Sequence, residues 1–293
     1  MKAICVDVGG TTIKYGRLEK DENDKIKIIE YNKKNWDAKQ VTGVGIPQLI
    51  FDLIKDWISE EIAFLGISTA GVVDSQSGKI LHANDNIPDY TNLQLADRLE
   101  KLSGLTVAVE NDVNCVALAE FAQGNALRQS STLFLTVGTG VGGAYISGGE
   151  VLKGYNNAAL EVGYLPLGDS SFEEKASTTS LVKRCQTRLN KKDLDGEKIF
   201  SMALKDNNLV CIEEIDRFIS YLTDGIYFVC QILDPECVVL GGGIMEQADY
   251  LIPKIDNQLN KKTMNPVKIT RAFYSNNAGL IGAYYNGLHS FDI

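Results

Sequence analysis

The chain contains short apolar runs, most of which end in glycine, separated by segments with the spacing of amphipathic helices. The apolar run at residues 2–8 leads through Gly-Gly-Thr-Thr into "IKYGRLEK", whose alternation is typical of a half-exposed strand. The run "STLFLTV" at 131–137 leads in the same way through "GTGVGG" into "AYISGG". The pattern therefore predicts two units of strand, glycine turn and strand, one in each half of the chain.

The other segments alternate between predicted strands and predicted helices. Apolar runs predict further strands at residues 26–34, 62–71, 106–110 and 236–240. Apolar residues at helical spacing predict helices at residues 46–58, 92–104, 111–124 and 278–291. This alternation predicts an α/β protein, and a shift in composition near residues 115–130 indicates a domain boundary.

Length and charge narrow the class of protein. A chain of 293 residues is long enough for two domains or one large α/β unit. Its net charge of -9 argues against a nucleic-acid partner, because such a surface needs clustered Lys and Arg to neutralise phosphates.

The cysteines and histidines indicate a reducing compartment and exclude two kinds of site. The six cysteines show no C-x-x-C spacing, which is typical of reduced thiols in a cytoplasmic protein. The two histidines, His82 and His289, lie far apart in the chain, which argues against a histidine base and a Cys/His zinc site. The N-terminus enters a strand directly, and no apolar run reaches membrane-spanning length, so we expect no signal peptide and no membrane partner.

The second glycine turn resembles a dinucleotide motif but lacks its context. Gly138, Gly140 and Gly143 match G-x-G-x-x-G, which must be followed by a helix, whereas "AYISGG" is strand-like. No G-x-x-x-x-G-K-[ST] motif is present. Two interpretations remain: a plain β-hairpin turn, or a turn whose backbone amides approach a phosphate.

The first glycine turn favours a phosphate site. The amides and hydroxyls of Gly9–Thr12 can hold phosphate oxygens, and Asp7 can hold Mg²⁺ directly or through water. Two such turns would hold a triphosphate from both sides of a cleft. The glycines at 241–243 end a third strand, where backbone can pack against an adenosine; the alternative is an ordinary strand-to-helix turn.

Asp112 is the candidate catalytic base. Asn111 and Asp112 stand where a predicted strand ends and a predicted helix begins, so either residue can serve only as a helix cap. The same position lies at the mouth of the sheet, where α/β proteins bind ligands, and a carboxylate there can take a proton from an attacking hydroxyl.

The ordered motifs resemble the ROK (repressor, ORF, kinase) family of bacterial sugar kinases, within the actin/hexokinase-like superfamily, over essentially the whole chain. The motifs are "DVGGTTIK", "GISTAGVVD", "ENDVNCVALAE", "TVGTGVGGAYISGG", "ALEVGY" and "VVLGGG". The resemblance implies a two-domain α/β protein with the actin-like ATPase (ribonuclease H-like) fold and a cleft between the domains. It implies an N-terminal domain of residues 1–116, to which a C-terminal helix at 278–293 returns, and a larger domain of residues 117–277.

The resemblance further implies ATP, Mg²⁺ and transfer of the γ-phosphoryl group to a sugar hydroxyl, with Asp112 as the general base. The positions matched to sugar contacts are Gly71, Asn86, Asn111, Asp112, Glu161, Tyr164 and Glu173. The positions assigned to ATP and its phosphates are Asp7, Gly9, Gly10, Thr11, Thr12, Lys14, Gly138, Thr139, Gly140, Gly142, Gly143, Gly241, Gly242 and Gly243, with Asp7 holding Mg²⁺ through water.

The chain departs from the family pattern in two places. Zinc-bearing members carry Glu-x-Gly-His and a cysteine cluster, whereas this chain has "EVGY", with Tyr164 in the histidine position and no following cysteine cluster. We therefore expect no zinc site and a resemblance to the β-glucoside kinase-like branch. No helix-turn-helix precedes the first strand, so no DNA-reading element is expected.

The sequence thus predicts a cytoplasmic, homodimeric, ATP-dependent kinase acting on the 6-hydroxyl of a glucose-type sugar or β-glucoside. N-acetylmannosamine kinase and fructokinase activities stay open as alternatives within the same family. A sugar-sensing regulator without turnover and an ATPase that acts on a protein partner are the alternatives outside the kinase class.

Overall fold

The structure, a computed structural model, describes residues 1–127 and 129–293. The strands are Lys2–Val8 (β1), Thr12–Lys20 (β2), Ile26–Asn35 (β3), Ile62–Thr69 (β4), Val72–Asp74 (β5), Lys79–His82 (β6), Val107–Asn111 (β7), Ser131–Val137 (β8), Val141–Ser147 (β9), Glu150–Val151 (β10), Pro166–Leu167 (β11), Ser170–Ser171 (β12), Cys237–Gly241 (β13) and Lys268–Arg271 (β14). The helices are Ala38–Ile54 (α1), Leu95–Ser103 (α2), Asp112–Gln123 (α3), Phe172–Ala176 (α4), Thr178–Leu189 (α5), Gly196–Leu204 (α6), Leu209–Leu233 (α7), Ala248–Leu259 (α8) and Ala278–Phe291 (α9).

The chain divides into two compact units. The first unit comprises Met1–Gly124, Lys153–Ala159 and Asn276–Ile293, and the second comprises Asn125–Leu152 and Leu160–Ser275. The short segment Lys153–Ala159 and helix α9 thus pack with the first unit although the second unit separates them from it along the chain. The domain limits predicted from the sequence, at residues 116 and 277, stay predictions.

The first unit is built on a five-stranded sheet with the order β3-β2-β1-β4-β7. β1, β2 and β3 pair antiparallel, whereas β1, β4 and β7 pair parallel. Ile4, Val6 and Val8 of β1 join the buried core that α1 and α2 cover. Because successive side chains of a strand point to opposite faces, Cys5 lies on the other face, which α9 covers.

The second unit repeats this plan. Its five-stranded sheet has the order β10-β9-β8-β13-β14, with an antiparallel hairpin of β8 and β9 and parallel pairs of β8, β13 and β14. Leu133, Leu135 and Leu240 of the sheet share one buried core with Ile215 and Leu222 of α7. The two predicted units of strand, glycine turn and strand are therefore confirmed, as is the α/β class.

Two predicted element boundaries are wrong. The helix predicted at 46–58 begins earlier, at Ala38, and ends at Ile54, with a kink at Thr42 where φ is 53°. Gly43, directly after the kink, lets the loop that contains Tyr90 approach the helix, because a Cβ on Gly43 would lie 2.5 Å from the Cα of Tyr90. The strand predicted to run to Gly71 ends at Thr69, since Gly71 has φ of +101° and turns the chain into β5.

All six cysteines are buried and unpaired. Burial raises the pKa of the thiols, to about 12 for Cys185 and Cys230, so the reactive thiolate is scarce at neutral pH. We expect a thiol-specific disulfide reagent to label less than one thiol per native chain and all six after denaturation, measured by absorbance. Rapid labelling of a native thiol would contradict the buried positions.

The helices of the described chain all fall short of the length and apolarity that a membrane span requires.

Candidate active site

The Gly9–Thr12 turn joins β1 to β2 at the end of the first sheet. The Gly9 N–H donates to the carbonyl of Thr12 at 3.0 Å, and the indole N–H of Trp36 donates to the carbonyl of Gly9 at 2.8 Å. Across the described residues, no protein acceptor takes the backbone N–H of Gly10 or Thr11. These two amides can therefore donate to an anion, as the sequence predicts for phosphate oxygens.

Asp7 lies one residue before the end of β1 and has two polar side-chain partners. Its Oδ1 accepts a hydrogen bond from Ser68 at 2.9 Å, and its Oδ2 lies 3.1 Å from the Nζ of Lys14. A Cβ on Gly279, at the start of α9, would lie 2.6 Å from the Asp7 carboxyl carbon, so this glycine makes room for the carboxylate. Ser68 was not predicted as a site residue, although Asp7 and Ser68 are partners in the register of β1 and β4.

The Asp7 network fits Mg²⁺ held through water better than Mg²⁺ held directly. Both carboxylate oxygens already accept one hydrogen bond, and each keeps a lone pair that a metal-bound water can use. The ammonium of Lys14 binds Asp7 and also donates to the carbonyl of Asn276 at 2.9 Å. The predicted contact of Lys14 with phosphate stays a prediction.

The capping role that the sequence left open at Asn111 and Asp112 falls to Asn111. Asn111 is the N-cap of α3: its Oδ1 accepts the backbone N–H groups of Val113 at 2.9 Å and Asn114 at 3.1 Å. Its Nδ2 donates to the carbonyl of Gly71 at 2.9 Å. Asp112 is the first residue of the helix, where the aligned peptide dipoles favour a negative charge.

The structure thus brings Gly71, Asn111 and Asp112 together. Asn86 is exposed in the turn after β6, where its backbone N–H donates to the side chain of Asn84 at 3.1 Å. Among the described residues, the hydrogen bonds of Asn86 do not reach Asn111 or Asp112. Its contact with a sugar stays a prediction.

Tyr90 and Thr69 are neighbours of this site that the sequence analysis missed. The two hydroxyl oxygens lie 2.6 Å apart, and Tyr90 is fully buried. Burial raises the pKa of Tyr90, and the negative charge of Asp112 raises it further, which places Asp112 near the phenol. The only sequence signal is an aromatic residue within a polar loop, which more often indicates packing than a site.

The second unit brings Glu161, Tyr164 and Glu173 together. Tyr164 ends a short 3₁₀ turn and is 64% exposed. Partial burial raises the pKa of Tyr164, and the charges of Glu173 and Glu161 raise it further, so the three side chains share one region. Glu173 also lies against the second glycine turn, since a Cβ on Gly140 would be 2.5 Å from its Oε2.

The glycines of the second unit fall into two groups. Gly143 and Gly242 are required by packing: a Cβ on Gly143 would lie 2.8 Å from the carbonyl oxygen of Leu160, and Gly242 has φ of +92°. A Cβ added to Gly138 or to Gly243 would have no neighbouring atom within 4 Å, and neither glycine has a positive φ. Gly10 in the first unit behaves in the same way. The fold gives no reason for glycine at these three positions, whereas the close approach of a ligand to the backbone would.

Gly138 and Gly140 form the tip of the second hairpin. The Gly138 N–H donates to the carbonyl of Gly140 at 3.0 Å, and the carbonyl of Gly138 accepts the N–H of Thr178 at 2.8 Å. Thr139 between them is exposed. Gly142 lies within β9 and Gly241 ends β13, so these two predicted phosphate and adenosine positions belong to the sheet rather than to a turn.

Over residues 1–127 and 129–293, no group of three or more His, Cys, Asp or Glu side chains is placed to hold a metal ion.

Two five-stranded sheets, each with a glycine hairpin and parallel partner strands, define an α/β protein of the actin-like ATPase fold. The chain belongs to the ROK family, whose sequence profile matches residues 3–286. The predicted family, its fold and the predicted enzyme class, an ATP-dependent carbohydrate kinase, are confirmed by this match and by the relatives that follow.

By sequence, the chain is 37% identical to an uncharacterized protein of Clostridium perfringens, with 98% of each chain covered. It is 29% identical to a beta-glucoside kinase of Klebsiella pneumoniae, with 98% of this chain and 96% of the relative covered.

Two solved structures support the same assignment. One is a proposed N-acetylmannosamine kinase of Listeria monocytogenes, with a TM-score of 0.89, 26% identity and coverage of 99% of this chain and all of the other. The other is a ROK family glucokinase of Streptomyces griseus in complex with glucose and AMPPNP, with a TM-score of 0.80, 25% identity and coverage of 97% and 98%.

Proposed function

We propose that this protein transfers the γ-phosphoryl group of ATP to the 6-hydroxyl of a glucose-type sugar or a β-glucoside, with Asp112 as the general base. The observation that carries the proposal is that Asn111, and not Asp112, is the N-cap of α3. Because Asn111 caps the helix and is tied to Gly71, the cap does not account for a carboxylate at position 112, and we assign that carboxylate to proton transfer.

In the proposed reaction, Asp112 accepts the proton of the sugar hydroxyl while the oxygen of that hydroxyl bonds to the γ-phosphorus. The bond from the γ-phosphorus to the bridging oxygen breaks, and ADP leaves with that electron pair. Asn111 keeps the first turn of α3 in place through its two accepted hydrogen bonds. The proposed sugar contacts are Gly71, Asn86, Asn111, Glu161, Tyr164 and Glu173.

The nucleotide is proposed to bind to backbone that carries no side chain. Gly10, Gly138 and Gly243 support this assignment, since neither packing nor φ requires a glycine at these positions. Asp7 is the residue proposed to hold Mg²⁺ through water, and the ion supplies neutralising charge to the phosphates when bound. AMPPNP in the Streptomyces griseus relative, an ATP analogue, is consistent with ATP as the phosphoryl donor.

Two relatives favour particular sugars. The Klebsiella pneumoniae relative favours a β-glucoside, and the Listeria monocytogenes structure favours N-acetylmannosamine as the second candidate. A cytoplasmic location and a homodimeric assembly stay predictions of the family resemblance.

The proposed function predicts sugar-dependent formation of ADP. The assay measures ADP release from ATP and Mg²⁺ with glucose, cellobiose, arbutin, N-acetylmannosamine, mannose or fructose, beside a blank without sugar. We expect glucose, cellobiose or arbutin to give the strongest ADP release. The blank should release little ADP, because Asp112 should not activate water when no sugar is bound.

The other outcomes point to the alternatives. ADP release at the same rate without sugar would indicate an ATPase with another partner. Binding of ATP and a sugar without turnover, measured by calorimetry, would indicate a sugar-sensing regulator. A response confined to N-acetylmannosamine would keep the kinase and change its substrate.

A further inference from the structure

Glu110 is a buried carboxylate directly before Asn111 and Asp112. Its side chain is 2% exposed. Its Oε1 accepts the backbone N–H of Asn111 at 2.7 Å and the side-chain amide of Asn114 at 3.0 Å. Glu110 therefore holds the first turn of α3 from the interior of the first unit, on both sides of Asp112.

The other carboxylate oxygen of Glu110, Oε2, forms an ion pair with Lys153. The Nζ of Lys153 lies 2.8 Å from Oε2 of Glu110 and also donates a hydrogen bond to the hydroxyl of Ser75. A buried carboxylate needs such a partner, because transfer of an unpaired charge from water into a protein interior is costly.

The backbone around Lys153 places its side chain in the first unit, next to Glu110. The segment Lys153–Ala159 packs with the first unit, although the residues on either side of it belong to the second. The N–H of Ala159 donates to the carbonyl of Lys153 at 3.0 Å, which closes the segment into a loop. Gly154 has φ of +73° and turns the chain immediately after Lys153.

The surroundings of Glu110 are rich in negative charge. Burial and the charges of Glu110, Asp7 and Asp112 together raise the pKa of the Cys115 thiol, so the three carboxylates lie near one side chain. Lys14 forms an ion pair with Asp7, and Lys153 forms one with Glu110. Loss of Lys153 would leave Glu110 buried and uncompensated two residues before the proposed base.

We infer that Lys153 is a positioning residue for phosphoryl transfer: its ion pair with Glu110 fixes the Asn111 backbone and thereby the carboxylate of Asp112. Lys153 does not touch the reacting atoms in this inference and acts only through Glu110. The inference rests on the proposed function, since it concerns the placement of the proposed base.

The test is a double-mutant cycle of Lys153→Met and Glu110→Gln on the full chain. We expect Lys153→Met to lower kcat by about 10²-fold with little change in KM for ATP or sugar, since a base displaced by about 1 Å loses rate rather than binding. The double variant should recover about tenfold of that loss, because glutamine keeps the Asn111 hydrogen bond and removes the uncompensated charge. Lys153→Arg should retain most activity, and Lys25→Met, at an exposed turn, is the matched control.

The outcomes separate the inference from the proposed function. Rates are taken below the unfolding temperature of each variant, per ATP-binding site, so that a loss of folded protein does not lower kcat. A purely structural lysine would change the unfolding temperature and leave kcat per folded chain unchanged, which would overturn the inference. Equal activity of the Lys153→Met single and double variants would also overturn it. A wild-type chain that turns over no sugar would overturn the proposed function first, and the inference with it.

Discussion

Replacement of Asp112 by Asn is expected to lower kcat for sugar-dependent ADP formation by about 10³-fold, within the range that general-base catalysis supplies. Asparagine has the same shape and can accept the hydrogen bond that Oδ1 of Asp112 accepts from the Val113 N–H at 2.9 Å. It cannot take the proton of a hydroxyl. The variant should therefore fold, bind ATP with a Kd within about twofold of wild type and fail in the chemical step.

Kinetics and calorimetry on the same preparation check this prediction. Asp56→Asn is the matched control, because Asp56 is an exposed carboxylate of the same unit in the 3₁₀ turn Lys55–Trp57. The control should keep the wild-type kcat. Full turnover by Asp112→Asn would remove Asp112 as the base and return it to a helix-terminal role, in which asparagine serves as well as aspartate.

The strand hairpins were predictable because their signals are local. Alternation in β2 and the apolar run of β1 lie on either side of a four-residue turn, and the register Val8 with Ile13 follows from that turn. The same holds for β8 and β9, where Val137 pairs with Val141. The helix α2 also ends where the sequence predicts, at Gly104, which adopts φ of +73°.

Helices α4 and α5 of the second unit were not predicted, because their apolar stripes are thin. In α5 only Leu181 and Cys185 are buried, and in α4 only Phe172 and Ala176 are buried. These helices are fixed by caps and by packing against α7. The caps were visible in the sequence: Ser171 and Glu174 form a capping box at the start of α4.

The chemistry of the site was predicted by residue type, but the ion pairs that fix it were not. Asp7 and Lys14 are seven positions apart and face each other only because the hairpin register makes them partners. Glu110 and Lys153 are far apart in the chain, and they meet because the segment Lys153–Ala159 packs with the first unit. A single sequence carries no signal for a pair of that kind, since a lysine beside a glycine is normally an exposed loop residue.

Replacement of Gly282 by Ala is expected to destabilise the first unit by about 4 kcal/mol, at the upper end of single substitutions. Gly282 lies in α9, which packs closely on α3. A Cβ at position 282 would overlap the carbonyl group of Cys115 and lie 2.5 Å from its Cα. These atoms belong to the backbone, so no side-chain rotation relieves the clash and the two helices must separate.

The measurement is thermal unfolding by circular dichroism, in which Gly282→Ala should lower Tm by about 10 °C. Gly196→Ala is the matched control, because a Cβ at the start of α6 meets only the methyl group of Thr178, at 3.3 Å. The control should shift Tm by no more than about 2 °C, since alanine is the better helix former and offsets the contact. The size of the difference follows from what the added carbon meets: a fixed backbone at position 282 and a side-chain methyl at position 196. A Tm of Gly282→Ala equal to wild type would mean that α9 and α3 are not in van der Waals contact.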